Sequence, residues 1–457
     1  MNKKNMFKSL LLMCLLALPL NTLADNYKRG DCDRNGEVNI ADVSALIDYL
    51  LTDQWTDDPA TYDLDAQVVQ TRSCHALAGL ADDILNLHFN QIIFEYTSVG
   101  PDMKTPVRLT GVISMNPAVF TKQAAPRALM FYNEFTTAKH GERTSQNEID
   151  DVGFYMNKYQ NLIAVSADLY GWTLTEDKPQ AYCCPEITAQ ESIDCWDAAM
   201  GILRDMGYAI DGLHTFNVGY SSGGFSAIAL QRYVDEKRPD LHWDLTAAGA
   251  APFDICTIYE NYVETDFSGY ICALPLMMVA YKETYNMDFS YSDVFQEPLA
   301  SHIQDWILSK DYGTWDINNL IGTERISEVL TPAALDYTTG VGKVVYDKFR
   351  SNSLCGPGQD WQPSTQTKFF IMHSAGVKYM DYGVGIEMAD YLESKGCQVE
   401  TDFANTGNHV YYGLLTFTGG TILRMEEMLG DSENITKIKE MFDQVKDTIS
   451  EIMDVDL

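Results

Sequence analysis

Short, almost wholly apolar runs recur along this chain and alternate with segments of helical pattern, a rhythm that limits the fold more than any other feature. The strand candidates are Ile92 to Val99, Val107 to Met115, Ala128 to Tyr132, Leu162 to Ala167, Thr215 to Tyr220, Leu245 to Ala251, Lys368 to His373 and Gln398 to Phe403. Helical patterns lie at Gln190 to Met206, Gly224 to Val234, Met388 to Lys395 and Gly413 to Leu429, with an acidic one at Glu433 to Met453. Strands apolar on both faces need cover on both faces. The alternation therefore predicts an α/β fold, an open and mostly parallel sheet between helices, with ligands beyond the carboxyl ends of the strands. At 457 residues and 46% apolar, the chain can bury a large core. Over a hundred residues rich in Tyr, Trp, Met and Leu separate Ala251 from Lys368, and a stretch this long predicts an inserted helical lid at about 255–367.

The N-terminus has its own organisation. Lys3, Lys4 and Lys8 precede an apolar run from Leu10 to Leu20, and Thr22-Leu23-Ala24 supplies small residues ahead of Asp25. This order predicts a secretory leader over 1–24, cleaved after Ala24, with an extracellular or periplasmic product; the run is too short for a transmembrane segment. Nine of the ten cysteines lie beyond the leader, an odd number, so at least one thiol is free or pairs between chains, and no CxxC spacing suggests zinc.

Residues 25–52 read as a separate calcium unit. Asp31, Asp33 and Asn35 stand at positions 1, 3 and 5 of a twelve-residue loop, Gly36 at the sharp turn, Glu37 at the backbone-carbonyl position, Asn39 at position 9 and Asp42 at position 12. A hard cation with six or seven oxygen ligands requires this set, so Ca2+ is expected at Asp31, Asp33, Asn35, Glu37 and Asp42 in a structural role. A helix with Val43, Leu46, Ile47, Leu50 and Leu51 on one face follows, yet only six residues separate the loop from Ala24, too few for an entering helix. Gly30 to Leu51 therefore resembles one half of a dockerin. Dockerins carry two such halves and bind cohesins; with a single copy, a calcium-stapled cap is expected before cohesin docking. Residues 53–70 read as a polar linker and 71–457 as the main domain.

Acids outnumber bases 65 to 32, a formal charge of −33, and the leader removes three lysines and no acid. Such a surface repels nucleic acid phosphates and anionic lipid headgroups. Chemistry is to be sought elsewhere. Thr215 to Gly224 is a strand running into Gly219-Tyr220-Ser221-Ser222-Gly223 and then a helix. Small residues flanking Ser221 permit the strained turn that exposes its hydroxyl, and the helix start puts the Ser222 N–H where an oxyanion would form. A serine needs a base, and His409, in Gly407-Asn408-His409 after the last strand, stands in the chain order expected of Ser221's partner.

Residues of roughly 75 to 430 resemble an α/β-hydrolase, most of all the secreted lipase and esterase group with a lid inserted before the acid-bearing strand. The resemblance rests on Gly219 to Gly224, Ala167-Asp168-Leu169-Tyr170-Gly171, the long insertion, and Phe369 to His373 with His409. It implies a serine hydrolase of carboxylic esters, on a small-molecule ester with an apolar acyl or aryl group, needing no cofactor for catalysis, with Asp168 helping to form the oxyanion hole. The sequence departs from the group where Val377 stands at the position of the triad acid. Asp381, in the same loop, is expected to substitute; Asp254, after the preceding strand, is the rival. A serine peptidase of the prolyl oligopeptidase type and an impaired, hydrolase-like binding protein are the alternative readings.

Overall fold

The computed structural model describes residues 63–76, 88–148, 150–156, 160–374, 381–403, 409, 413–430, 433–441 and 443. The leader, the calcium loop with Asp31, Asp33, Asn35, Glu37 and Asp42, most of the linker, Val377 and most of the acidic final helix lie outside the described residues.

A nine-stranded mixed sheet runs in the order β1-β2-β3-β5-β4-β6-β7-β8-β9. The strands are β1 (Gln67–His75), β2 (His88–Val99), β3 (Pro106–Met115), β4 (Ala128–Asn133), β5 (Leu162–Ala167), β6 (His214–Tyr220), β7 (Leu245–Gly249), β8 (Lys368–Met372) and β9 (Gln398–Asp402). β1, β2 and β3 pair antiparallel, β3 pairs antiparallel with β5, and every later pairing is parallel. The expected strands are all present. β1 is an addition: it begins within the stretch read as linker, and its exposed edge carries Val68 and Val69 into solvent.

The centre of the sheet is apolar on both faces because two cores sandwich it. Along β4, Met130 and Tyr132 join one core while Leu129 and Phe131 join the other, the two-residue period of a pleated strand. Helices α1 (Pro185–Asp205) and α2 (Ser222–Lys237) cover the second face with Ile193, Trp196, Leu203 and Leu230. Proline at the first position starts α1, and Gly207 in the left-handed region follows its end. Trp196 meets Trp243 edge-on, with centroids 4.8 Å apart. Truncating Trp243, fully buried, to alanine would cost about 3–5 kcal/mol.

Between β7 and β8 the chain departs from the sheet into helices, among them α3 (Ile255–Thr265), α4 (Ala273–Thr284) and α5 (Gly340–Asn352). It returns through β8, α6 (Gly383–Ser394) and β9 to α7 (Leu414–Leu429), whose Leu415, Phe417, Ile422 and Met425 cover the first core. The fold is that of an α/β-hydrolase.

Candidate active site

β6 ends at Tyr220 and α2 begins at Ser222, so Ser221 alone makes the turn, at φ 57° and ψ −126°. A non-glycine residue rarely adopts such a conformation, and its neighbours must give way. A Cβ on Gly219 would sit 2.0 Å from the Gly223 carbonyl oxygen, and one on Gly223 would sit 2.2 Å from that of Asn133. Glycine at both positions lets the turn close and lets the exit of β4 press against it. The Ser221 N–H donates to the Gly249 carbonyl at 2.7 Å, tying the turn to β7.

The structure brings His409 to Ser221, with Nε2 3.0 Å from Oγ. The hydroxyl of Tyr220 donates to the His409 carbonyl at 2.7 Å, and the two rings lie 5.1 Å apart. Burial, with the neighbouring His373 ring, pushes the His409 imidazole down to about 4, so it is neutral at pH 7. A neutral imidazole beside a serine hydroxyl can accept its proton. Ser222 opens α2, where first-turn N–H groups have no intrahelical acceptor. Its hydroxyl accepts from Thr136 Oγ1 at 3.1 Å, and Thr136 bonds the Tyr182 hydroxyl at 2.9 Å.

The expected carboxylates are placed differently. Asp381 is exposed; it accepts from Asn261 Nδ2 at 2.9 Å and from the Gly383 N–H at 2.8 Å, and so caps α6. The hydrogen bond to His409 expected of Asp381 is absent among the described residues. Asp254 caps α3, accepting from the Cys256 N–H at 2.9 Å and from Ser353 Oγ at 3.0 Å. Asp168 is fully buried and takes both the hydroxyl and the N–H of Ser145. Burial raises its carboxyl, and it does not line the cavity that Ser221 faces. Directly after β8, His373 is fully buried and pushed down to about 4, chiefly by that burial.

A cavity of about 270 Å³ opens over Ser221, Ser222 and His409. Phe135, Tyr182 and Tyr220 line its sheet side; Ile258, Tyr262, Met277 and Trp315 of the insertion line the other. The Met- and Tyr-rich insertion thus contributes directly to the cavity wall. Sequence reasoning missed Tyr220, Thr136, Tyr182 and Asp151 here. Tyr220 had a signal, since it occupies the variable position before the serine.

Among the described residues no helix is long and apolar enough to cross a membrane, no group of His, Cys, Asp and Glu is arranged to hold a metal ion, and the eight cysteines described are buried free thiols.

No family model and no curated protein matches the chain. Solved structures do. The chain is similar to the rice cell wall degrading esterase LipA from Xanthomonas oryzae, at 17% identity and TM-score 0.65, covering 79% of this chain and 98% of that one. It is also similar to Candida antarctica lipase A in its closed state, at 12% identity and TM-score 0.56, covering 78% and 82%. At these identities the likeness establishes the fold, shared with esterases and lipases.

Proposed function

We propose that this protein is a secreted serine hydrolase that cleaves carboxylic esters through an acyl-enzyme. The observation that carries the reading is the 3.0 Å contact between His409 Nε2 and Ser221 Oγ at a strained strand-to-helix turn, opening into an aromatic cavity. Ser221 Oγ attacks the ester carbonyl carbon as its proton passes to His409 Nε2. The developing oxyanion is stabilised by the Ser222 N–H. Collapse of the tetrahedral species breaks the bond to the alcohol oxygen, which takes the proton from His409 and leaves as the alcohol. Water then attacks the acyl carbon, giving its proton to His409; collapse of the second tetrahedral species breaks the bond to Ser221 Oγ, which takes that proton back as the carboxylic acid leaves. The esterase and lipase names of the structural neighbours favour ester over peptide cleavage.

The donor set at Asp31, Asp33, Asn35, Asp42 and the Glu37 carbonyl supports a structural Ca2+ outside catalysis, and the basic, apolar and small-residue order of residues 1–24 supports export. A fluorophosphonate probe followed by peptide mapping tests the mechanism: labelling at Ser221, with turnover of short-chain aryl esters, is expected. Folded protein that takes no label belongs with the impaired, binding-protein reading, which Val377 favours.

A further inference from the structure

Asp150 and Asp151 are consecutive carboxylates with different employment. Asp150 caps the short turn that follows it, accepting from the Val152 N–H at 2.9 Å. Asp151 is partly buried, has no hydrogen-bond partner among the described residues, and lines the same cavity as Ser221 and His409. It is the only carboxylate among the described residues of that lining. Other buried acids are provided for: Glu134 pairs with Arg143 at 2.8 Å, Glu426 with Arg127 at 2.6 Å, and Glu191 accepts from the Tyr170 N–H at 2.9 Å. A carboxylate taken from water is costly unless it is hydrogen-bonded, and no described residue supplies Asp151 with a donor.

Three of the tyrosine hydroxyls that line the cavity are already engaged. The Tyr182 hydroxyl bonds Thr136, that of Tyr220 donates to the His409 carbonyl, and that of Tyr259 donates to the Ala334 carbonyl at 2.7 Å. A ligand that brings its own donor into the cavity would satisfy Asp151.

We propose that Asp151 is a specificity-determining residue that accepts a hydrogen bond from a hydroxyl or ammonium group on the part of the ester remote from the scissile carbonyl. The proposal rests on the ester reading and narrows it: the substrate is an ester with one polar donor set among apolar or aromatic surface. Burial, and then the charge of Asp150, push the Asp151 carboxyl up to about 7. Aromatic faces beside a carboxylate suit either donor, since ring faces accept both C–H edges and cations.

The test uses twinned aryl esters. One pair sets a hydroxyl against a methyl group, and the other sets a primary ammonium against a methyl group. Wild-type kcat/KM is expected to favour the donor-bearing member of at least one pair by about tenfold or more, the pair identifying the source. The ratio should fall toward one in Asp151→Leu and partway in Asp151→Asn, which keeps the shape of the side chain. The same ratios are read as Kd on Ser221→Ala protein and on its double variants with Asp151→Leu and Asp151→Asn. Failure of ester chemistry, seen as no turnover and no Ser221 labelling, therefore leaves the recognition test intact. Ratios unchanged by either substitution, equal binding of both twins in wild type, or equal loss of both twins in the variants would overturn the proposal.

Discussion

The Tyr220 hydroxyl holds the His409 backbone carbonyl at 2.7 Å across 189 residues of sequence, so the residue before Ser221 also positions His409. Its ring also lies tilted against two others, 5.1 Å from the imidazole and 5.5 Å from that of Phe417 of α7. β6 thereby delivers Ser221 and fixes its partner with consecutive residues.

Tyr220→Phe keeps the ring contacts and deletes the hydrogen bond. A neutral bond of this kind contributes about 0.5–1.5 kcal/mol, so kcat is expected to fall by roughly three- to tenfold with KM little altered. Steady-state kinetics read the split; a pure KM effect would mean that the contact shapes the cavity and not the base.

Ser221→Ala and His409→Ala should each abolish ester hydrolysis in folded protein, and the double variant should be scarcely worse than either, because the two residues act as one unit. Circular dichroism verifies the fold. Full activity in Ser221→Ala would exclude the serine mechanism.

The acid limb of activity should lie low. His409 works as a base only when neutral, and burial, then His373, carry its imidazole from 6.5 to about 4. A lowered value keeps the neutral form present to lower pH, so kcat/KM should hold through pH 6 and fall only below about pH 5. An acid limb centred near the ordinary histidine value would show that the imidazole is more hydrated than its burial implies.

Much of the parallel sheet was legible because β4 to β8 are covered on both faces and leave short, mostly apolar runs. β1 was not, because its Gln67-Val68-Val69-Gln70 stretch is solvated and reads as connector. Ser221 and His409 were legible through local glycine chemistry and chain order. The employment of Asp381, Asp254 and Asp168 was not, since each carboxylate is claimed by a helix cap or a distant serine that only the folded chain brings near. Asp151 escaped notice because a pocket carboxylate differs from a solvated one only in what surrounds it.

Calcium binding is expected by calorimetry, with release in Asp31→Ala combined with Asp42→Ala, since these remove two charged ligands of the loop. Ester hydrolysis should survive the double substitution. Its disappearance would tie the N-terminal unit to the catalytic one and contradict a cap role.

The last expectation concerns the acid that would orient His409. A carboxylate on the far imidazole nitrogen fixes the tautomer and stabilises the imidazolium, and its loss can cost on the order of 10⁴ in rate. Asp381 bonds Asn261 and the Gly383 N–H and would have to surrender both to reach His409. Asp381→Asn is therefore expected to lower kcat by about tenfold or less, far short of a triad acid. Asp254→Asn keeps the side-chain cap of α3 but removes its charge at the helix N-terminus, and should cost about 0.3–1 kcal/mol of stability with kcat near wild type. Val377→Asp restores a carboxylate at the position where the resembling lipases carry theirs, and it should raise kcat by more than about tenfold. A collapse of kcat in Asp381→Asn with no gain from Val377→Asp would show instead that Asp381 leaves its cap and swings onto the histidine during turnover.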